Sequence, residues 1–323
     1  MIKKCSRCGR PVETKGFKTC DTCREESRNY RSQHREREHE RQIEWQKLSR
    51  KKKREARFLE GIYEQYSHDE LKAISKGKSI STFSVKPPKV NIDHSGDEIR
   101  FGFFTDSHMG SIYYHEEFLD DFIQTCKEKK ADFCVFGGDL THGMDSRKYN
   151  LLYELKEIGY AAQKHYAEQQ LAKIPFYTYV IDGNHDRWYE SIGAHIVEDI
   201  CNALPNAEYI GRDEGDIAIK GIIIRVFHGE DGGSYALSYR PQKLIESFTG
   251  GNKPNVLLMG HAHKQGYFFD RHIHVVSGGA LSTQSKWMRS KRMANHAGYH
   301  FITIRVDEEG VQEFNLSWRP FYV

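Results

Sequence analysis

With 323 residues and a formal net charge of +3, the chain is long enough for one large domain or two ordinary ones. It has no apolar run near the ~18 residues of a membrane span, no apolar stretch behind Met1-Ile2-Lys3-Lys4 to make a secretory signal, and too many aromatic residues, 12%, for wholesale disorder. The near-neutral sum hides an asymmetry: residues 1–60 hold 19 Lys and Arg against 10 Asp and Glu, a net of +9, which leaves −6 for residues 61–323. A basic head on an acidic body points the head toward a polyanion.

The head opens with two Cys-x-x-Cys pairs, Cys5/Cys8 and Cys20/Cys23. Two tight pairs supply the four thiolates of one tetrahedral zinc ion, and a site closed by four sulfurs is structural, with no position open for chemistry. Seven cysteines, an odd count with four clustered, fit thiolate chemistry in a reducing compartment, so a cytoplasmic protein without a membrane is expected. Residues 1–24 are therefore read as a four-cysteine zinc ribbon. Residues 25–74 are highly charged and rich in helix formers, and read as a basic helix. Arg24, Arg28, Arg31 and Arg35 recur at i, i+4, i+7 and i+11 on one face, and Lys51, Lys52 and Lys53 add a second basic block. The alternatives are a solvated helix held by local ion pairs and a phosphate-directed, salt-sensitive contact with DNA or another nucleic acid. Residues 75–97, with Lys86-Pro87-Pro88-Lys89, read as a linker.

In the body, residues 98–323, five apolar runs end in clusters of Gly, Asp, Asn and His. Ile99–Phe104 runs into Thr105-Asp106-Ser107-His108, and Ala131–Phe136 into Gly137-Gly138-Asp139-Leu140-Thr141-His142. Pro175–Ile181 runs into Asp182-Gly183-Asn184-His185-Asp186, Ile222–Phe227 into His228-Gly229, and Val256–Met259 into Gly260-His261-Ala262-His263. Helical stretches, Glu116–Lys130 and Leu151–Lys173, separate the early runs. Strands alternating with helices predict an α/β fold with its ligands at strand carboxyl ends. Asp106, His108, Asp139, Asn184, His228, His261 and His263 offer oxygen and nitrogen donors, too many for one ion and suited to two divalent cations sharing a carboxylate. Further along, Lys286-Trp287-Met288-Arg289-Ser290-Lys291-Arg292 sets an aromatic ring in a basic cluster. It reads equally as a contact for single-stranded nucleic acid and as a solvated hairpin. Trp188 and Tyr189 line a groove or simply pack, and Cys126, Cys134 and Cys201 read as buried thiols.

Asp106-x-His108, Gly138-Asp139, Gly183-Asn184-His185-Asp186, His228 and Gly260-His261-x-His263 resemble, in order, the five motifs of the calcineurin-like metallophosphoesterases. The resemblance implies a double β-sandwich flanked by helices, an αββα arrangement, and a two-metal hydrolase. It implies that Asp106, His108 and His263 hold one ion, that Asn184, His228 and His261 hold the other, and that Asp139 bridges them. It further implies that His185 protonates the leaving oxygen or stabilises charge in the transition state, with Asp186 orienting its imidazole. Manganese is the metal implied first, with iron or zinc as alternatives. Gly138-Asp139-Leu140-Thr141-His142 is similar to the second motif of SbcD-type DNA repair nucleases, which makes His142 a contact to the scissile phosphate and DNA the first substrate. Those nucleases continue with a large capping region, where here 60 residues follow His263 and complete the sheet through Tyr299–Val306, so the substrate grip is expected from the head. The alternatives are a cyclic-nucleotide or small-molecule phosphodiesterase or phosphatase and, from another class, a nucleic-acid-binding or regulatory protein.

Overall fold

The computed structural model describes residues 4–11, 18–29, 87–144, 149–230, 236–248 and 253–322. The chain divides into two units, Met1–Val85 and Lys86–Val323. In the first, Lys4 and Pro11 form an antiparallel bridge around the first cysteine pair, and residues 21–29 are helical.

The second unit is built on two six-stranded sheets. One has the order β1 (Lys89–Ile92), β6 (Glu214–Ile219), β7 (Ile222–Phe227), β8 (Val256–Met259), β10 (Ile273–Gly278), β9 (Gln265–Asp270). The other has the order β12 (Gly310–Pro320), β11 (Gly298–Asp307), β2 (Glu98–Phe104), β3 (Phe133–Gly137), β4 (Thr178–Ile181), β5 (Ala207–Gly211). The central strands read as continuous apolar runs because both of their faces are covered. Along β2, Ile99, Phe101 and Phe103 join the core between the sheets, where they meet Ile224, Val226, Val256 and Leu258. Phe104 of the same strand faces the opposite layer, formed by α1 (Glu116–Glu128), α2 (Tyr160–Leu171) and α3 (Ile196–Ala203). A fourth layer, α4 (Tyr239–Ser247), covers Leu257, Ile273 and Val275 through Ile245 and the following Phe248. Each such fully buried Ile, Leu or Phe contributes roughly 1.5–3 kcal/mol. Gly102 lies under α1 so closely that a Cβ there would stand 2.5 Å from the Cys126 sulfur.

The αββα architecture is the one the motifs implied. Two local expectations are corrected. Residues 89–92, assigned to a linker, form the edge strand β1, parallel to β6 with Val90 opposite Ile217. The Pro87-Pro88 breaker masked a four-residue alternation, Lys-Val-Asn-Ile, whose Val90 and Ile92 pack on the inter-sheet core. The single helix expected over Leu151–Lys173 is two pieces, a 3-10 turn Tyr149–Glu154 and α2. The break is made by Gly110, whose carbonyl captures the Lys156 and Glu157 amides, and by Gly159 at φ 89°.

β2, β3, β4 and β5 are mutually parallel, as are β7, β8 and β10. The loops after β2, β3, β4, β7 and β8 therefore leave from carboxyl ends. Cross-links between these loops bring the two sheets' ends together: His261 N–H donates to Asp106 Oδ2 at 3.0 Å, and His228 Nδ1 to Gly137 O at 2.7 Å.

Candidate dinuclear metal centre and cysteine knuckle

Five of the seven expected ligands have left-handed backbones: Asp106 (φ 52°), His108 (49°), Asp139 (55°), His261 (70°) and His263 (51°). Such conformations cost on the order of 1 kcal/mol each and persist where the surroundings over-determine them. The glycines beside them are required by contact. A Cβ on Gly183 would lie 2.2 Å from Asp139 Oδ1, and one on Gly138 would lie 2.4 Å from His228 Nδ1.

The donors gather into two groups. Asp106, His108 and His263 form one, and Asp139, His228 and His261 the other, with donor atoms in each within 4.8 Å of one another. In the first, His263 Nε2 is 3.1 Å from His108 Nε2 and 3.3 Å from Asp106 Oδ1. In the second, Asn184 Oδ1 is 2.7 Å from His261 Nδ1 and 3.3 Å from His228 Nε2. Asp139 Oδ2 is 3.3 Å from His228 Nε2 and 3.8 Å from His108 Nε2, so one carboxylate reaches both groups. Ligand atoms ~2.1 Å from a common ion are separated by about 3.0–3.4 Å along the edges of its coordination shell. Most of these spacings match that range, and the donor chemistry suits divalent first-row metals.

The electrostatics favour cations here. Burial pushes the Asp139 carboxyl up, but the charges of His228 and His185 overcome it and hold the group well below the carboxylate range. Burial opposes charge on His228, yet Asp139 raises it to about 10. Without metal, protons thus do part of the neutralising, and metal binding must release them. His108 and His261 go the other way, lowered chiefly by burial, His261 to about 4, which leaves neutral imidazoles ready to ligate.

His185 and His142 stand beside the first group, their rings 4.6 and 5.4 Å from that of His108. His185 Nδ1 donates to the carbonyl of His142 at 2.8 Å, and Trp188 packs on the imidazole at a tilt, with ring centroids 4.1 Å apart. The expectation that Asp186 orients His185 is corrected. Asp186 is 2% exposed and turned away. Its oxygens accept from the Leu140, Thr141 and Gly183 amides at 3.0, 2.8 and 2.9 Å and from the Thr141 hydroxyl at 2.8 Å. It pins the Asp139 loop to the Asn184 loop, and the backbone of His142 does the orienting. The His142 ring itself is buried, with no partner for either nitrogen among the described residues. Tyr189 packs in the core, as do Cys126, Cys134 and Cys201.

One residue of the site escaped the sequence reading. Asn295 Oδ1 accepts from His263 Nδ1 at 2.8 Å, while its Nδ2 donates to Ser282 O at 2.9 Å. This fixes the amide's orientation and turns His263 Nε2 toward Asp106. His228 is held likewise, Nδ1 to Gly137 O at 2.7 Å. Outer partners of this kind are worth about 10- to 100-fold in metal affinity. Asn295→Ala is therefore expected to weaken metal binding by that factor in a metal titration, and Asn295→Asp, which keeps an acceptor, to recover most of it. Undiminished affinity in Asn295→Ala would remove Asn295 from the site.

The two groups open into a cleft of about 1520 Å³, lined by His185, Trp188, Arg240, Lys264 and Trp287 among others.

In the N-terminal unit, the sulfurs of Cys5, Cys8, Cys20 and Cys23 lie within 4.8 Å of one another, with Cys8 and Cys20 at 3.6 Å. Four sulfurs ~2.3 Å from one ion stand about 3.8 Å apart. Gly9 N–H donates to Cys5 O at 2.9 Å and Arg7 N–H to Cys5 Sγ at 3.5 Å, closing the first knuckle. The thiols do not ionise alike: the Cys20 backbone holds Cys5 down to about 6, while Cys8 and its neighbours push Cys23 up to about 12. A cation would relieve that conflict. Arg28 is exposed, but Arg24 is largely covered and paired with Asp21 one helical turn earlier, so it does not belong to an exposed stripe. Arg31, Arg35, Lys51, Lys52 and Lys53 lie outside the described residues.

Residues 99–265 match the calcineurin-like phosphoesterase family. Among solved structures, an archaeal phosphodiesterase is similar at 14% identity over 68% of this chain and 100% of its own, with a TM-score of 0.42. The phosphoesterase Yfce of E. coli aligns at 16% identity over 67% and 98%, TM-score 0.39. Vps29 of Entamoeba histolytica, solved with zinc, aligns at 12% identity over 69% and 100%, TM-score 0.34. Comparison with curated proteins finds no match. Among the described residues, no helix is long and apolar enough to cross a membrane.

Proposed function

The chain belongs to the calcineurin-like phosphoesterase family, metal-dependent hydrolases of phosphoesters, and from this we propose that it is a two-metal phosphodiesterase acting on nucleic acid, DNA first. The observation that carries the reading is the pair of donor groups sharing Asp139 on the wall of an open cleft. We assign Asp106, His108 and His263 to one ion and Asn184, His228 and His261 to the other, with manganese as the first metal. When bound, the ions polarise the phosphoryl group and lower the pKa of a coordinated water.

The chain's own residues do the rest. His185 Nδ1–H is committed to the His142 carbonyl, so Nε2 alone exchanges a proton. Donation to a leaving oxygen requires the imidazolium, which burial opposes and the negative charge of Asp139 favours. An arriving phosphoester anion acts in the same direction as Asp139. Trp188 packs against the ring at a tilt. His142, with both ring nitrogens free of partners among the described residues, is available to a phosphate oxygen. The cleft's Arg240, Lys264 and Lys286 favour a polyanion. The four cysteines of the head are proposed to hold one structural zinc, because they are the only buried cluster that unit has among the described residues and sulfur alone makes a poor core.

The test is a substrate panel with the full chain and manganese: a phosphomonoester, bis(p-nitrophenyl) phosphate, a cyclic nucleotide, and single- and double-stranded DNA. Cleavage of DNA and of the model diester, with zinc retained at one equivalent per chain, is the expected result. Hydrolysis of the cyclic nucleotide or monoester without DNA cleavage would replace the nucleic-acid reading. No hydrolysis of any diester would end the phosphodiesterase reading.

A further inference from the structure

The segment between β10 and β11 leaves the sheet of β7, β8 and β10 and enters the sheet of β11, β2 and β3, and its base is tied to the metal centre at several points. Leu281 N–H donates to Thr105 O at 2.9 Å, and Ser282 Oγ to the Asp106 carbonyl at 2.8 Å. On the return, Asn295 holds His263, and His296 N–H donates to His263 O at 2.8 Å. Asn295 Nδ2 bonded to Ser282 O closes the two ends into a clasp.

Above the clasp sits α5 (Lys286–Ser290). Ser285 caps it by accepting from Met288 N–H at 3.2 Å, and Met288 anchors it, 5% exposed. Lys286 N–H donates to the Tyr113 hydroxyl at 3.1 Å, which fastens the turn to the loop after β2. Gln284 Nε2 reaches Met293 O at 2.7 Å across the loop. On this braced platform Lys286, Trp287, Arg289 and Ser290 are exposed, and Lys286 and Trp287 both line the cleft that holds His185 and Asp139. Trp287 is 56% exposed, an indole left in solvent by a loop that buries its neighbour. The Lys286 ammonium makes no ion pair among the described residues.

An exposed indole and an ammonium, held rigidly relative to a phosphoester centre, are what a base and its phosphate require. Resting on the nucleic-acid reading above, we infer that Lys286 and Trp287 form the substrate-recognition ledge of this enzyme: Trp287 stacks on the nucleobase next to the scissile phosphate, and Lys286 pairs with phosphate oxygen. Because stacking accepts every base, the ledge selects for nucleotides without selecting among sequences. The chain thereby supplies from its own body a contact for single-stranded substrate close to the metals.

The experiment uses the full chain loaded with manganese. Its substrates are a thymidine dinucleotide and the two analogues in which one or the other base is replaced by an abasic tetrahydrofuran. Base–aromatic stacking is worth about tenfold or more in affinity. Wild type is expected to show a KM about tenfold higher for one of the two abasic analogues. Trp287→Ala should erase that discrimination, Trp287→Phe should keep most of it, and Lys286→Gln should raise KM for all three substrates alike. Equal KM values for base-bearing and abasic substrates in wild type, or discrimination that survives in Trp287→Ala, would overturn the ledge alone. Wild type that hydrolyses bis(p-nitrophenyl) phosphate but no dinucleotide would overturn the nucleic-acid reading and the ledge with it. Metal content measured on each variant separates a lost contact from a disturbed centre.

Discussion

Asp139→Asn is expected to lower kcat/KM by about 1000-fold or more, and to reduce bound metal below two ions per chain. The change is nearly isosteric, so the loss is chemical. Asp139 is 2% exposed, its Oδ1 accepts the His185 amide at 2.8 Å, and its Oδ2 faces His228 and His108. An amide in its place either turns an NH2 toward those imidazoles or loses the His185 contact, and in both cases removes the charge that the two groups share. Metal analysis after gel filtration, together with steady-state kinetics on a diester, reads both effects. A variant that keeps two ions and a tenth of the activity would show that Asp139 does not join the groups.

His185→Ala is expected to keep both ions and lose about 100- to 10,000-fold in rate, the range of a positioned proton-transfer group. Its imidazole clusters with His108 and His142 and not with the Asp106–His263 or Asp139–His228–His261 donors, and its amide bond to Asp139 is made by the backbone, which alanine retains. The leaving group supplies a readout that a merely structural role would not move. p-Nitrophenolate leaves without help, whereas a nucleotide alkoxide needs a proton. The loss should therefore be far larger for a dinucleotide than for bis(p-nitrophenyl) phosphate. Equal losses would make His185 a packing or charge-stabilising residue, consistent with its tilted contact with Trp188, and would shift proton donation elsewhere.

Much of the candidate centre was legible because each proposed ligand sits in a short segment just past an apolar run, most of them beside glycines, and five with left-handed backbones. A strand end followed by Gly-Asp or Gly-His-x-His carries its meaning within a few residues. The central strands were legible for a similar reason: burial on two faces leaves an uninterrupted apolar run. Edge strands such as β1 and β9 alternate over only four to six residues, too short a pattern to stand out beside prolines or polar turns.

By itself, then, the sequence determined the candidate donors, the paired cysteines, the alternation of strands and helices and the order of the motifs along the chain. Only the tertiary structure decided which neighbours orient those donors. Asp186 is adjacent to His185 in the chain yet turns to amides 45 and 46 positions away, while His185 is held by a carbonyl 43 positions distant. Asn295 reaches His263 across 32 residues, through a loop whose tip brings Trp287 back to the cleft. The reason is physical. A ligand's identity is a property of its side chain and local turn, but its hydrogen-bond partner is whichever group the stacking of two sheets delivers within 3 Å, and that stacking is a property of the whole core.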